Sequence, residues 1–444
     1  MDAEGDCRRR LLLAMKRVAA ADGYEAATVA RVSATAGVSR VSFYQRFRNR
    51  EDCFLACCQE AIAAFEGAVS ASVSESGTAT PCAVVDAVLR ELGADPGAAR
   101  LILLEALAGP GRTRLEHEGL IAHLESQLGA VSGGEGSQPS SLWIPASALL
   151  GGVLGVAAIP VLHDRAAELE SLAPALRTWV GSYAAAPAEL PLTEEQWANL
   201  GRELAARTAG GLAPAPPTRP SRRERLVAAT AEATARNGYA ALRVSDIVAL
   251  AQVRRGSFYK EFRDKKDAFR AVQVLNLQRS VAAAAGQFSL GGTWPDRVWG
   301  GLAALLGYVA RHPEEARLAV VEVYAAGEEA LRLAQHSRSA FTLFLEEGYR
   351  EPRGTGLPTL CSEAVGAAIH FLIRRAVASG QARRLPQLLP QSAFIALAPF
   401  LGPRKALAFV ELKIREAAKE PRRDWRDVPA ARAPAGTGPL AGPA

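Results

Sequence analysis

A chain of 444 residues, 49% hydrophobic and 22% charged, can bury a large core and is too apolar to be disordered. Its net charge of +6 is mild, and its six cysteines have no CxxC pair and no regular spacing, which excludes a disulfide framework and a zinc site of ordinary spacing. The chain opens on acids, and its first apolar run, Leu11 to Met15, is too short for a signal peptide, so a cytoplasmic location is the default expectation.

Taken in chain order, nearly every segment between breakers has helical spacing, and none shows sustained strand alternation. Leu12, Val18 and the alanines between them predict a first helix ending at Gly23. Thr28 can cap a second, through Val29, Val32 and Ala36; Gly37 permits a tight turn; and Ser39 can cap a short third helix with Phe43 and Phe47 on one face. Asn49 is a good N-cap for a fourth, longer helix. Cys53, Cys57 and Cys58 on it read as small apolar core residues rather than a metal or redox cluster.

Longer alanine- and leucine-rich helices follow to about residue 204, with a Gly/Ser-rich loop from Ser132 to Ser141. Ile144 to Leu162 is 19 residues without charge, long enough in principle to cross a bilayer. Gly210 to Pro220 is Pro-rich and reads as an extended linker. Beyond it the chain starts again. Arg8 to Phe54 recurs without a gap at Arg223 to Phe269: Gly23-Tyr24 falls under Gly238-Tyr239, Ser42-Phe43-Tyr44 under Ser257-Phe258-Tyr259, Asn49 under Asp264 and Asp52 under Asp267. Pro96 to Leu107 matches Pro313 to Tyr324 at nearly the same displacement. The repeat disposes of the membrane span, because its counterpart, Ser362 to Val377, carries Glu363, His370, Arg374 and Arg375. From Pro421 on, little remains to bury, and a disordered tail is expected.

Charge is concentrated in the repeated segments. Arg8 to Arg50 holds ten bases against two acids, and Arg222 to Arg270 twelve against six, the footprint of a polyanion partner. The sequence from Thr28 to Phe54 (TVARVSATAGVSRVSFYQRFRNREDCF) closely resembles the DNA-binding signature of the TetR family of bacterial transcriptional regulators, and the second copy carries the same signature. That resemblance implies an all-α protein of two halves, each a helix-turn-helix three-helix domain followed by a helical ligand-binding and dimerisation domain. The expected boundaries are 1–60, 61–204, a linker over 205–220, 221–280, 281–420 and a tail over 421–444. It also implies a repressor or activator released from double-stranded DNA by a small molecule.

Physically, the third helix must turn one face to base edges and another to its own core. Phe43 and Phe47 take the inner face, which leaves Val41 and Gln45 outward, Ser42 and Tyr44 on the flanks and Arg40 free at the start. Matched to the family motif, Arg40, Val41 and Tyr44, with Arg255, Gly256 and Tyr259 in the second copy, are the expected base-side contacts. Ser42, Gln45 and Arg50, with Ser257, Lys260 and Lys265, are the expected phosphate contacts, joined by the capping positions Thr28, Ser39 and Arg254. The competing reading is that Tyr44 and Tyr259 only pack between helices.

The copies differ. Gln252 replaces Gly37 and Arg254 replaces Ser39, losses of about 0.5 to 1 kcal/mol each, while Arg254, Lys260 and Lys266 add positive charge. The expectation is that both copies bind, the second with less sequence specificity, on an imperfect palindrome or none. One chain then acts as a covalent pseudo-dimer, its joint formed by Ala148 to Val161 and Pro174 to Tyr183 against Glu363 to Val377 and Pro390 to Phe400, with Gly151 and Gly155 allowing close approach. Association of two chains remains open. Trp143, Trp179 and Tyr183, and Tyr308, Tyr324 and Phe371, are candidates to line a cavity for an apolar or aromatic effector; ordinary core is the alternative for each. The six histidines form no metal or catalytic pattern, no cofactor is implied, and no nucleophile, base and orienter set can be assembled, which argues against an enzyme. The other class left open is a small-molecule-binding or scaffold protein whose duplicated helix-turn-helix no longer touches DNA.

Overall fold

The computed structural model describes residues 3–75, 80–132, 142–184, 194–208 and 220–419. The expected Gly/Ser-rich loop, most of the Pro-rich linker and the expected tail lie outside these residues. The first half runs α1 (Ala3–Asp22), α2 (Val29–Ala36), α3 (Arg40–Arg46), α4 (Arg50–Glu75), α5 (Pro81–Ala94), α6 (Pro96–Arg100), α7 (Ala106–Ala108), α8 (Gly111–Ser132), α9 (Ala146–Leu162), α10 (Ala173–Gly181) and α11 (Glu194–Thr208). The second repeats the plan as α12 (Arg222–Asn237), α13 (Val244–Leu250), α14 (Arg255–Glu261), α15 (Lys265–Phe288), α16 (Trp294–Arg311), α17 (Pro313–Arg317), α18 (Glu328–Ala340), α19 (Leu360–Ala378), α20 (Leu389–Leu401) and α21 (Pro403–Lys419). The fold is all-α; among the described residues there is no strand, only one isolated bridge between Leu142 and Ala184.

Apolar residues sort into three cores. Leu11, Met15, Val32, Phe43, Phe47 and Phe54 close the first three-helix head, and Leu226, Ile247, Phe258, Phe262 and Phe269 close the second. Cys53, Cys57 and Cys58 sit inside the first of these, and burial pushes the Cys57 thiol up to about 12. The third core is common to both halves and runs from Ile62 to Ile414.

The joint of that common core is α9 against α19. An α-helix this apolar all round must be enclosed, and α9 is: Ala148, Val153, Ala157 and Val161 are all buried. Glycines set its distance from the partner helix. A methyl on Gly151 would stand 2.9 Å from Phe371 Cδ1, and one on Gly155 would stand 2.8 Å from Ala367 Cβ. Tyr183 donates from its hydroxyl to the Ile395 carbonyl at 2.8 Å, and the Trp143 ring stacks on Phe394 at 6.2 Å. The last helix of the first half, α11, lies on the second half, its Trp197 ring 5.0 Å from Phe394.

The expected boundaries at 60/61 and 280/281 fall inside single helices, α4 and α15, because no breaker interrupts either apolar run. Phe54 at one end of α4 serves the head and Ile62, Phe65 and Val69 serve the body, so one continuous helix belongs to both. The boundary at 204 likewise falls within α11, which continues to Thr208.

Candidate nucleic-acid interface and a cavity in the second half

Each head presents a short helix with one face sunk and the other bare. In the first, the Thr28 side chain accepts from the Arg31 amide, and Gly37 ends α2 at φ +63°. Ser39 then caps α3 by accepting from the Ser42 amide at 3.0 Å. Phe43 is fully buried while Val41 is 68% and Tyr44 58% exposed, with Arg40 and Gln45 also at the surface. The Tyr44 ring meets Phe43 edge-on, 5.5 Å between centroids, so one side packs on the head and the other is bare.

The second head has the same faces. Phe258 is buried, Tyr259 is 50% exposed, and Arg254, Arg255, Gly256 and Lys260 are exposed. Its turn is strained where the first is relaxed, because Gln252 takes φ +53°, a conformation that suits glycine. Arg254 caps α14 with no side-chain bond. Arg255 instead leans over Tyr259, 5.9 Å above the ring, bringing two of the expected base-side residues together.

Three of the expected phosphate contacts are held by the protein itself. Ser42 shares a hydrogen bond with Ser39 at 2.9 Å. Arg50 lies over the Tyr24 ring at 4.3 Å and donates to the Glu25 carbonyl. Lys265 donates to the carbonyls of Tyr239 and Leu242, both at 3.2 Å, and burial lowers its pKa. Arg50 and Lys265 thus tie the start of α4 and α15 to the turn after the first helix of each head, an anchoring that residue type alone did not reveal. Burial, with Asp264 and then Glu25, pushes the Tyr239 hydroxyl up to about 12.

A buried carboxylate ties each head to the body. Between α6 and α7 the chain makes one π-helical turn, Leu101–Glu105, and after α17 it makes the same turn at Leu318–Glu322. Each turn aims a glutamate at the amide after a head glycine: Glu105 accepts from Tyr24 N at 2.8 Å and Glu322 from Tyr239 N at 3.1 Å. Burial raises the Glu105 pKa, opposed by the Tyr24 amide and Arg100. Ion pairs cross between the halves at this level. Arg100, buried beside Glu105, reaches Glu328 at 3.2 Å, and Arg114 reaches Glu322 at 3.6 Å.

The body holds a cavity of about 160 Å³, and it lies in the second half. α15 supplies Asn276, Leu277, Ser280 and Phe288; α18 supplies Arg338; α19 supplies Ile369 and His370. None of the six expected aromatics lines it. Trp143, Trp179 and Tyr183 are buried in the joint instead, Tyr308 hydrogen-bonds Glu315, and Tyr324 packs against the common core. Phe371 faces a separate cleft between the halves, with Trp197 and Arg374. Arg338 and His370 were missed because each looks like a surface residue on a helix; only their difference from the first copy marks them.

Compared with known proteins, residues 11–57 and 226–272 each match the model of the bacterial regulatory proteins of the tetR family. No curated protein matches the chain. Among solved structures, the fatty acid degradation regulator FadR of Bacillus halodurans aligns at 18% identity and a TM-score of 0.37, over 41% of this chain and 97% of that one. FadR of Bacillus subtilis, solved in complex with stearoyl-CoA, aligns at 20% identity and a TM-score of 0.33, over 40% and 99%. The TetR-family regulator PfmR of Thermus thermophilus aligns at 17% and 0.29, over 44% and 97%.

Proposed function

The chain is a tandem-duplicated member of the TetR family of transcriptional regulators, and from that premise we propose that it is a repressor in which one chain does the work of a dimer, reading double-stranded DNA with both heads and releasing it on binding a small molecule. The observation that carries this reading is the pair of bare helix faces, α3 and α14, mounted on one fused body.

α3 enters one major groove with Arg40, Val41 and Tyr44 toward base edges; α14 enters the next with Arg255, Gly256 and Tyr259. Two such helices must stand about one DNA turn, 34 to 36 Å, apart. Gln45 and Lys260, exposed on their helices, hold phosphates and fix register without reading sequence. Ser257 is a further phosphate contact, while Thr28, Ser39, Ser42, Arg50 and Lys265 shape and position the two reading helices, and Arg254 adds charge beside the second. Because Val41 and Gly256 differ, the two half-sites differ. Release follows from continuity: α15 lines the cavity and begins just after α14, so a ligand that shifts α15 tilts the second head.

DNA selected by the purified protein from a random pool supplies the test. Arg255→Ala combined with Tyr259→Ala is expected to weaken binding to the selected sequence at least tenfold, at about 1 to 3 kcal/mol per base-reading contact, and to flatten the salt dependence. Unchanged affinity and salt slope would mean that the second head is not a reader, and no selected sequence at all would favour the scaffold alternative.

A further inference from the structure

The register of the repeat explains why a cavity opens in the second half. Ser280 and Ala284 stand where the first half has Phe65 and Val69, both buried in the common core. Two small residues in α15 thus leave empty what a phenyl ring and an isopropyl group fill in α4. The polar groups also belong to the second copy alone. Arg338 stands where the first half has the buried Ile121, and His370 where it has Gly155.

Arg338 is the informative residue. Among the described residues no carboxylate lies within 4.0 Å of its guanidinium, and its Nε has no hydrogen-bond partner; its one bond runs from Nη2 to the Gly155 carbonyl, across the joint, at 3.1 Å. Burial lowers its pKa, and Tyr324 and Glu363, from farther off, only partly offset that. A largely buried cation without a counter-ion is costly, and beside a few neutral polar groups (Gln273, Asn276, Ser280, Ser337) the lining is apolar: Leu277, Phe288, Leu302, Phe341 and Phe344. An anion entering the cavity supplies the missing partner, and the planar guanidinium fits a carboxylate through two parallel hydrogen bonds. His370 beside it adds a donor or acceptor for the same head group.

We propose that this cavity is the effector site, that it exists once per chain, and that it takes an organic acid whose apolar body lies among the leucines and phenylalanines and whose carboxylate is held by Arg338 next to His370. The proposal rests on the regulator reading for its role but not for its chemistry. Its consequence for control is one-sided: the ligand touches α15 and α19 of the second half directly and reaches the first half through the packing of α19 on α9 and the Arg338 bond to the Gly155 carbonyl.

The test is calorimetric titration of the full chain, without DNA, with octanoate, decanoate and 2-naphthoate and with the three corresponding alcohols. At least one acid is expected to bind with one site per chain and about tenfold more tightly than its alcohol, and Arg338→Gln is expected to erase that preference. Ser280→Phe combined with Ala284→Val, which installs the first half's residues, is expected to abolish binding while leaving the helical circular dichroism and melting temperature no lower than those of the parent. No binding by any acid, two sites per chain, equal affinity for acid and alcohol, or a preference that survives Arg338→Gln overturns the proposal. Binding as expected by a chain that selects no DNA leaves the site standing and removes the regulator reading.

Discussion

Replacing Gly152 with alanine tests the joint between the halves with one methyl group. The added carbon would stand 2.8 Å from Trp179 Cζ3 and 3.0 Å from the Ala364 carbonyl of α19. Neither can yield: Trp179 is fully buried with its ring edge-on to Tyr183, and the Tyr183 hydroxyl is bonded to the Ile395 carbonyl. Overpacking of a tight core costs about 1 to 3 kcal/mol. Helix propensity works the other way, since Gly→Ala inside a helix gains about 1 kcal/mol. Gly119→Ala on α8 isolates that gain, because nothing lies within 4 Å of its position. The difference between the two variants removes the common propensity term and leaves the clash, about 1 to 3 kcal/mol against Gly152→Ala. At about 2.1 cal/mol/K of unfolding entropy per residue, a cooperative chain of 444 residues loses about 1 °C per kcal/mol. Thermal melts followed by circular dichroism should place Gly119→Ala above the parent and Gly152→Ala about 1 to 3 °C below Gly119→Ala. Equal melting temperatures would refute the claim that α9 and α19 meet without slack.

Other consequences are separately measurable. Gln252→Gly relieves a positive φ and should stabilise the second head by up to about 1 kcal/mol, whereas Ser39→Ala should destabilise the first by about 0.5 to 2 kcal/mol; hydrogen exchange resolved by head reads both. Glu105→Ala or Glu322→Ala leaves a buried amide unpaired, at about 1 to 3 kcal/mol, and should speed exchange at Tyr24 or Tyr239 respectively; unaltered exchange would deny the carboxylates their role as ties. His117 and His370 are held at a pKa of about 3 by burial and by Arg374, with Arg338 also acting on His370, against 6.5 for an ordinary histidine. The unfolded chain therefore takes up these protons first. Stability is fully present above pH 6.5 and should fall as pH drops from about 6.5 toward 3, by up to about 1.4 kcal/mol per pH unit for each histidine. Denaturant midpoints across that range check it, and a His117→Leu, His370→Leu variant should show a flatter profile.

The parts of this fold that were legible in the sequence are those set by local chemistry. Thr28, Gly37 and Ser39 announce the turn and caps of the first head because each acts on backbone within three or four residues, and the same register exposes Gln252 as the strained substitute. The joint was legible through glycine spacing: Gly151 and Gly155 only make sense where another helix comes close. What escaped depends on distant partners. Nothing in Leu101 to Glu105 marks a π-helical turn, and the repeated glutamate acquires meaning only when the Tyr24 amide is brought to it. The six aromatic candidates do not line the second-half cavity, which exists where Ser280 and Ala284 are small. Comparing the two copies position by position, Phe65 against Ser280 and Ile121 against Arg338, carried that signal.

How many chains occupy one DNA site decides whether one chain does the work of a dimer. The native mass of the complex with the selected DNA, measured alongside a footprint on both strands, answers this. One chain per site, protecting two successive major grooves with unlike half-sites, is the expected result. Two chains on a strict palindrome, each using only one head, would contradict it.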